Sequence, residues 1–265
     1  MNQGTRRSMR DLLKVRDVKI GHFVSEFLTP GIGYIVKAAG CDYVTFDMEH
    51  SGLEFEAVRA ALRFAEAAGL ATMVRPPSTQ YPDIARTLDV GADAIMAQNV
   101  ASAEEARAIV SCMKYPPQGK RGVTTGQYHD HFTGGPLGPK LAAINETTAL
   151  FALIESAAGV ANAEAIAGVD GVDCLYVGHV DLSTDLGIPG QNDHPKIVDS
   201  VARVAGACRK HDKAFAWSVC SVGTLEEARQ LGAEFIDYGG DASLLRDALA
   251  QGVSDVRRSL AALKA

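Results

Sequence analysis

The chain has 265 residues, 47% hydrophobic and 22% charged, with 26 Lys and Arg against 32 Asp and Glu for a formal net charge of −6. That length is enough for one large core and is one that α/β barrels use as a single domain, here spanning residues 1–265. The acidic balance, with no basic cluster beyond Arg6, Arg7 and Arg10, argues against nucleic acid as a partner. No apolar run approaches a membrane span and the first thirty residues lack a secretory apolar region, so no membrane partner and a cytoplasmic protein are expected.

Read in order, the chain begins with those three arginines as a ragged arm. Eight short apolar runs then follow: Val18 to Phe23, Tyr43 to Phe46, Ala71 to Val74, Ala94 to Ala97, Leu150 to Ile154, Cys174 to Val177, Ala214 to Val219, and Phe235 to Tyr238. Between them lie segments such as Phe55 to Ala68 and Glu104 to Met113, whose apolar positions recur three and four apart as in amphipathic helices. Strand alternating with helix eight times predicts a closed (β/α)8 barrel, with an open doubly wound sheet as the alternative. Glycine followed by a small or acidic residue precedes several runs, as at Gly40, Gly69, Gly91, Gly171 and Gly232, which reads as a helix end leading into the next strand.

The stretch from Tyr115 to Leu141 breaks the pattern. It is rich in Gly and Pro and follows a helix, so it starts at the face opposite a barrel's active site and reaches catalysis only through a neighbouring subunit or a fold over the rim. The closing segment, Ala242 to Leu263, carries enough apolar residues to pack on this barrel or swap onto a neighbour. The five cysteines, Cys41, Cys112, Cys174, Cys208 and Cys220, form no CxxC pair and are expected as buried thiols.

Chemistry-bearing residues gather where strands should end, which in barrels is where sites are built. The second run ends in Asp47-Met-Glu49-His50, where an Asp bonded to a His would tune a general base; the alternative is a capping Asp beside a surface His. The third ends in Arg75-Pro-Pro, a stiff exit from which a guanidinium would polarise a carbonyl or bind a carboxylate, or serve an ordinary ion pair. The fifth and sixth runs lead into Glu155 and Asp181, either two helix-start acids or two oxygen ligands for a hard ion such as Mg²⁺ or Mn²⁺, with Co²⁺ or Zn²⁺ as further options. Backbone N–H groups over Gly178, His179, Val180 and Asp181 suit a carboxylate. No lysine directly follows a strand, which disfavours Schiff-base chemistry, and no P-loop or GxGxxG occurs.

The phrases FDMEHS, MVRPP, MKYPPQGKRGV, LIES, VDGVDCLYVGHVDLSTDLG and NDHP, spread over most of the chain, resemble the HpcH/HpaI aldolases. These are divalent-metal-dependent class II pyruvate aldolases, 4-hydroxy-2-oxoheptanedioate aldolase among them. The resemblance implies a barrel of the phosphoenolpyruvate/pyruvate-binding type, a metal on Glu155 and Asp181, and a substrate carboxylate received by the backbone from Gly178 to Asp181. It also implies an oxo or enolate oxygen steadied by Arg75, proton transfer by His50 with Asp47, and Glu49 orienting water on the metal. Asp89 and Arg121 would stand near a neighbour's site, in a homohexamer.

The implied reaction is reversible cleavage of a 4-hydroxy-2-oxo acid to pyruvate, or hydroxypyruvate, and an aldehyde. Alternatives on the same scaffold are an oxaloacetate decarboxylase, a malyl- or citramalyl-type lyase, and a non-catalytic oxo-acid binder. Family members commonly carry Pro at the positions of His179 and Gln98, Gln at that of Leu153 and an apolar residue at that of Ser218. These departures leave the proposed ligands intact and bear on which aldehyde is accepted.

Overall fold

A computed structural model describes residues 6–219 and 223–263, apart from a few side chains at the edges of these ranges; Cys220 lies outside the described residues. Eight parallel strands close into a barrel in the order of the chain: β1 Lys19–Val24, β2 Tyr43–Asp47, β3 Ala71–Arg75, β4 Ala94–Ala97, β5 Ala149–Ile154, β6 Cys174–Val177, β7 Ala214–Val219 and β8 Phe235–Gly240. The helices are α1 Met9–Leu13, α2 Ile32–Ala38, α3 Phe55–Ala67, α4 Tyr81–Asp89, α5 Ala103–Met113 and α6 Leu137–Thr147. They continue as α7 Ala157–Ala161, α8 Ala163–Ala167, α9 His179–Asp185, α10 Pro195–Lys210, α11 Gly223–Gln230 and α12 Asp241–Ala262. The expected closed barrel is the fold, and the open sheet is excluded by the β1–β8 pairing, Ile20 against Ile236.

Short strands buried on both faces explain why the runs read as almost purely apolar. One set of side chains fills the barrel, with the Phe235 ring meeting Tyr43 and Phe151 edge-on at centroid distances of 5.6 and 5.1 Å. The other set packs under the helices, Val44, Val74, Leu62 and Val58 forming one such cluster. The five glycines that end helices all have positive φ, from 84° to 102°, a conformation that reverses the chain from helix into strand.

The amino-terminal arm is no ragged tail. Ser8 caps α1 in a reciprocal capping box with Asp11, and Met9 and Leu12 are fully buried in the interior cluster, so α1 closes the barrel's N-terminal end. Arginines of this segment pair with the acidic residues that precede the strands: Arg6 with Asp93, Arg7 with Asp42, Arg10 with Asp173, and Arg16 with Glu234. Asp42, Asp93 and Asp173 in turn accept strand backbone N–H groups from Ile20, Thr72 and Leu150. A basic cluster that looks like a solvated arm is thus the complement of an acidic ring under the sheet.

The Tyr115 to Leu141 stretch runs along the outside of the barrel, from Gly122 beside Tyr81, the first residue of α4, to Asp130 and Lys140 near Arg6 at the floor, and none of its residues lines the cavity at the mouth. Gly122 N–H donates to the Tyr81 hydroxyl, and Gln127 and Gly126 N–H groups donate to the buried Asp130 carboxylate. The last helix, α12, does not pack on its own barrel beyond its first turn. Asp241 is buried, whereas Leu245, Leu249, Val253, Val256 and Leu260 are all exposed. Cys41, Cys112, Cys174 and Cys208 are free thiols, three of them buried.

Candidate active site

Strand register delivers the first pair. Asp47 and Arg75 are the last residues of β2 and β3 and stand opposite one another in the sheet. Arg75 Nε and Nη2 donate to the two Asp47 carboxylate oxygens, each at 2.7 Å, in the bidentate arrangement that fixes a guanidinium plane. Asp47 also accepts the Glu49 N–H at 3.0 Å and the His50 N–H at 3.5 Å, shaping the turn that follows β2. The expected contact between Asp47 and the His50 ring is not made. The carboxylate is occupied by Arg75 and the backbone, while the His50 ring is 63% exposed at the cavity mouth with Nε2 3.7 Å from Glu49 Oε2. Glu49 Oε2 also lies 3.1 Å from Arg75 Nη1, an ion-pair distance without hydrogen-bond alignment, so this buried oxygen has no hydrogen-bond partner.

The second pair comes from the opposite side of the mouth. Glu155 follows β5 directly and is buried, and its Oε1 accepts the Asn99 N–H at 2.7 Å. Gly178 follows β6, and a Cβ there would lie 2.7 Å from Glu155 Oε2, so only glycine lets β6 pass this close to the carboxylate. From Gly178 the chain turns into α9, placing Asp181 in its first turn. Burial pushes the Glu155 carboxyl up to about 7, and the neighbouring Asp181 and Glu49 charges act in the same direction against the Asn99 N–H and Arg75. Burial alone lowers the His179 imidazole below its usual range, which favours its neutral form.

One cavity of about 410 Å³ at the C-terminal mouth collects His50, Arg75, Glu155, Gly178, His179, Val180, Asp181 and Ser218. Asp47 lies beneath it, holding Arg75. Asp89 and Arg121 are not brought to this cavity. Asp89 ends α4, on the side where helices lead into strands, and its Oδ1 is 2.6 Å from Nη2 of the buried Arg121.

Among the described residues, no three His, Cys, Asp or Glu side chains come together as a metal-binding set. The chain instead offers two carboxylates, Glu155 and Asp181, with Glu49 close enough to raise the charge cost of the site. Glu155 and Asp181 are oxygen donors of the kind a hard divalent ion takes, and Glu49 beside them keeps one buried oxygen without a hydrogen-bond partner.

Two residues of this region escaped the reading of the sequence. Tyr176, on β6, lines the cavity, and Asp237, on β8, lies buried below it and accepts the Tyr176 hydroxyl at 3.0 Å. A signal existed: Asp237 falls two residues after the inward-facing Phe235, so strand alternation points it into the barrel.

The model of the HpcH/HpaI aldolase/citrate lyase family matches residues 20–248, which is most of the chain. The chain belongs to the HpcH/HpaI aldolase/citrate lyase family. Among its relatives is the 2-keto-3-deoxy-L-rhamnonate aldolase of Escherichia coli, 28% identical over 251 residues that cover 95% of this chain and 93% of the relative. An HpcH/HpaI aldolase from Desulfitobacterium hafniense DCB-2 superposes with a TM-score of 0.90 at 29% identity, covering 94% of this chain and 96% of that one. An HpcH/HpaI aldolase/citrate lyase family protein from Burkholderia cenocepacia J2315 does so at 0.86 and 30% identity, with 93% and 97% covered. Membership places the protein among aldolases and lyases, enzymes of carbon–carbon bond cleavage.

Proposed function

We propose that this member of the family is a class II aldolase that reversibly cleaves 4-hydroxy-2-oxo acids to pyruvate, or hydroxypyruvate, and an aldehyde. The observation that carries this reading is the arginine locked on Asp47 facing the Glu155 and Asp181 carboxylates across one cavity. Retro-aldol cleavage needs a base for the C4 hydroxyl proton and a place for the electron pair of the C3–C4 bond, which ends on the C2 oxygen as an enolate.

A divalent cation on Glu155 and Asp181, Mg²⁺ or Mn²⁺ by the hardness of the oxygen donors, would supply Lewis-acid stabilisation of that oxygen. Arg75 spends its Nε–H and one Nη2–H on Asp47, which leaves three N–H donors of fixed direction for the C2 oxygen. The N–H groups that open α9 receive the substrate carboxylate. His50, exposed at the mouth beside Glu49, takes the C4 hydroxyl proton directly or through water, and the aldehyde departs as the C3–C4 bond breaks. Water protonates C3 to complete pyruvate, and the proton held by His50 returns to the solvent that its ring faces. Oxaloacetate decarboxylation follows from the same enolate.

The reading extends to the assembly. Asp89 and Arg121 serve a neighbouring subunit's site in a cytoplasmic homohexamer, and α12 lays its apolar stripe on a second copy, a packing that the exposure of the stripe supports. The test is exchange of the pyruvate C3 protons for deuterium with and without Mn²⁺. Exchange that persists unchanged after chelation refutes the metal-dependent mechanism, and absence of exchange under all conditions refutes the aldolase reading.

A further inference from the structure

We propose that Ser218, Tyr176 and Asp237 form a hydrogen-bond chain that makes one wall of the cavity a hydrogen-bond acceptor, and thereby selects reactants with a hydroxyl group on the carbon next to a carbonyl. This inference rests on the aldolase reading and deepens it.

Asp237 is 1% exposed, and its near partners are hydroxyl groups. Tyr176 Oη donates to Oδ2 at 3.0 Å, Thr45 Oγ1 donates to Oδ1 at 3.4 Å, and the buried Tyr43 hydroxyl faces the same carboxylate. An acid in the middle of a barrel is costly, and an apolar side chain of similar size would fill the space at lower cost. Room has been made for it. Gly21 of β1 pairs with Asp237 on one side and with Tyr43 on the other, and a Cβ at that position would lie 2.2 Å from the Tyr43 ring and 2.7 Å from Asp237 Oδ1.

The direction of the chain follows from counting protons. Tyr176 has one hydroxyl proton, and it goes to Asp237. The contact of 2.6 Å between the Tyr176 and Ser218 hydroxyls must then use the Ser218 proton, with Tyr176 Oη accepting. Ser218 lines the cavity and is left with lone pairs and no proton to offer. A substrate O–H satisfies that oxygen, and a methyl or methylene group leaves it bare, which is the situation in which hydroxyl selectivity is largest. Ser218 is therefore the residue that reads the substrate, and Tyr176 and Asp237 are positioning residues that set its polarity. Burial raises the Asp237 carboxyl to about 7, so the acceptor state is the one present on the alkaline side of neutrality.

The hydroxyl has two possible sources, the oxo acid or the aldehyde. Three substrate pairs separate them: pyruvate with acetaldehyde, hydroxypyruvate with acetaldehyde, and pyruvate with glycolaldehyde, each assayed with Mn²⁺ at about pH 8.5, above the raised Asp237 value. The quantity read is the ratio of kcat/KM for a hydroxylated pair to that for the plain pair. Ser218→Ala should lower this ratio about ten- to a hundredfold for one hydroxylated reactant, which identifies the source. Tyr176→Phe and Asp237→Asn should move the same ratio in the same direction, and Ser218→Thr, which keeps the hydroxyl, should restore most of it. An unchanged ratio in Ser218→Ala, or equal losses for all three pairs, overturns the proposal. If Asp237→Asn does not fold, the Ser218 pair of variants still decides. Deuterium exchange at pyruvate C3 by the unaltered protein separates the two levels: no exchange removes the aldolase reading and this inference with it, whereas exchange with an unmoved ratio removes the inference alone.

Discussion

Arg75 and Asp47 close a two-point contact across β2 and β3, with Nε and Nη2 each 2.7 Å from a carboxylate oxygen. The contact takes the guanidinium out of conformational exchange before any substrate arrives. Arg75→Lys keeps the charge and loses the fork, so kcat should fall on the order of a hundredfold while Mn²⁺ binding by calorimetry survives. Asp47→Asn should lower kcat as well, because the arginine is no longer held. A rise in KM alone in either variant would mean that Arg75 only binds substrate and does not stabilise the charge developed on cleavage.

Glu155 gives the metal-free protein a pH dependence of known sign. Its carboxyl is raised from 4.5 to about 7, chiefly by burial. Below the lower value the folded and unfolded chains are both protonated and no penalty exists. Between the two values only the folded chain keeps the proton, so stability falls as pH rises, and above about 7 the full penalty is in place. Asp237, raised to about 7 by burial, contributes a slope of the same sign, so the comparison must be made against a variant. Chelated Glu155→Gln should lose less stability than the unaltered protein between about pH 5 and 8, by on the order of 2–3 kcal/mol in urea unfolding. Saturating Mn²⁺ should stabilise the unaltered protein and leave Glu155→Gln nearly unaffected. Parallel pH profiles for the two proteins would remove Glu155 from this role.

Leu12, at 1% exposure in the barrel floor, should matter to the fold and not to the chemistry. Leu12→Ala is expected to cost about 2–5 kcal/mol in unfolding free energy, with KM for the oxo acid unchanged. A loss under about 1 kcal/mol would show that α1 merely rests on the barrel.

Gly21 is a steric requirement, and its backbone conformation is ordinary. Gly21→Ala should destabilise by about 1–3 kcal/mol, because the new methyl meets the Tyr43 ring and Asp237 in a packed interior. The urea midpoint measures this, and a neutral result would mean that the two strands part easily at this point.

Much of the architecture was readable because strands buried on both faces write themselves as apolar runs. The eight runs match the eight strands to within a residue or two, and the positive-φ glycines mark the turns between them. The mouth of the barrel was readable for a related reason: polar residues placed directly after an apolar run land at a strand's C-terminal end. The floor was not, since Arg6, Arg7 and Arg10 find their partners at Asp93, Asp42 and Asp173, far away in sequence. The same holds for Asp47, whose carboxylate chose the Arg75 guanidinium across the sheet over the imidazole three residues on. Asp237, a lone acid inside the Phe235 to Tyr238 run, was not singled out, although its parity with Phe235 points it inward.

The polar layer beneath the cavity is hung on β7 and β8 through Ser218 and Asp237, whereas Asp47 and Arg75 end β2 and β3 and Glu155 follows β5; the two sets meet at β6, through Tyr176 and the Gly178 turn, and at β2, whose Thr45 donates to Asp237. Bond breaking and substrate choice are therefore heritable on different parts of the chain. Under the proposed roles, a descendant can trade Ser218, Tyr176 and Asp237 for another wall, and widen its diet, without dismantling the lyase it inherited.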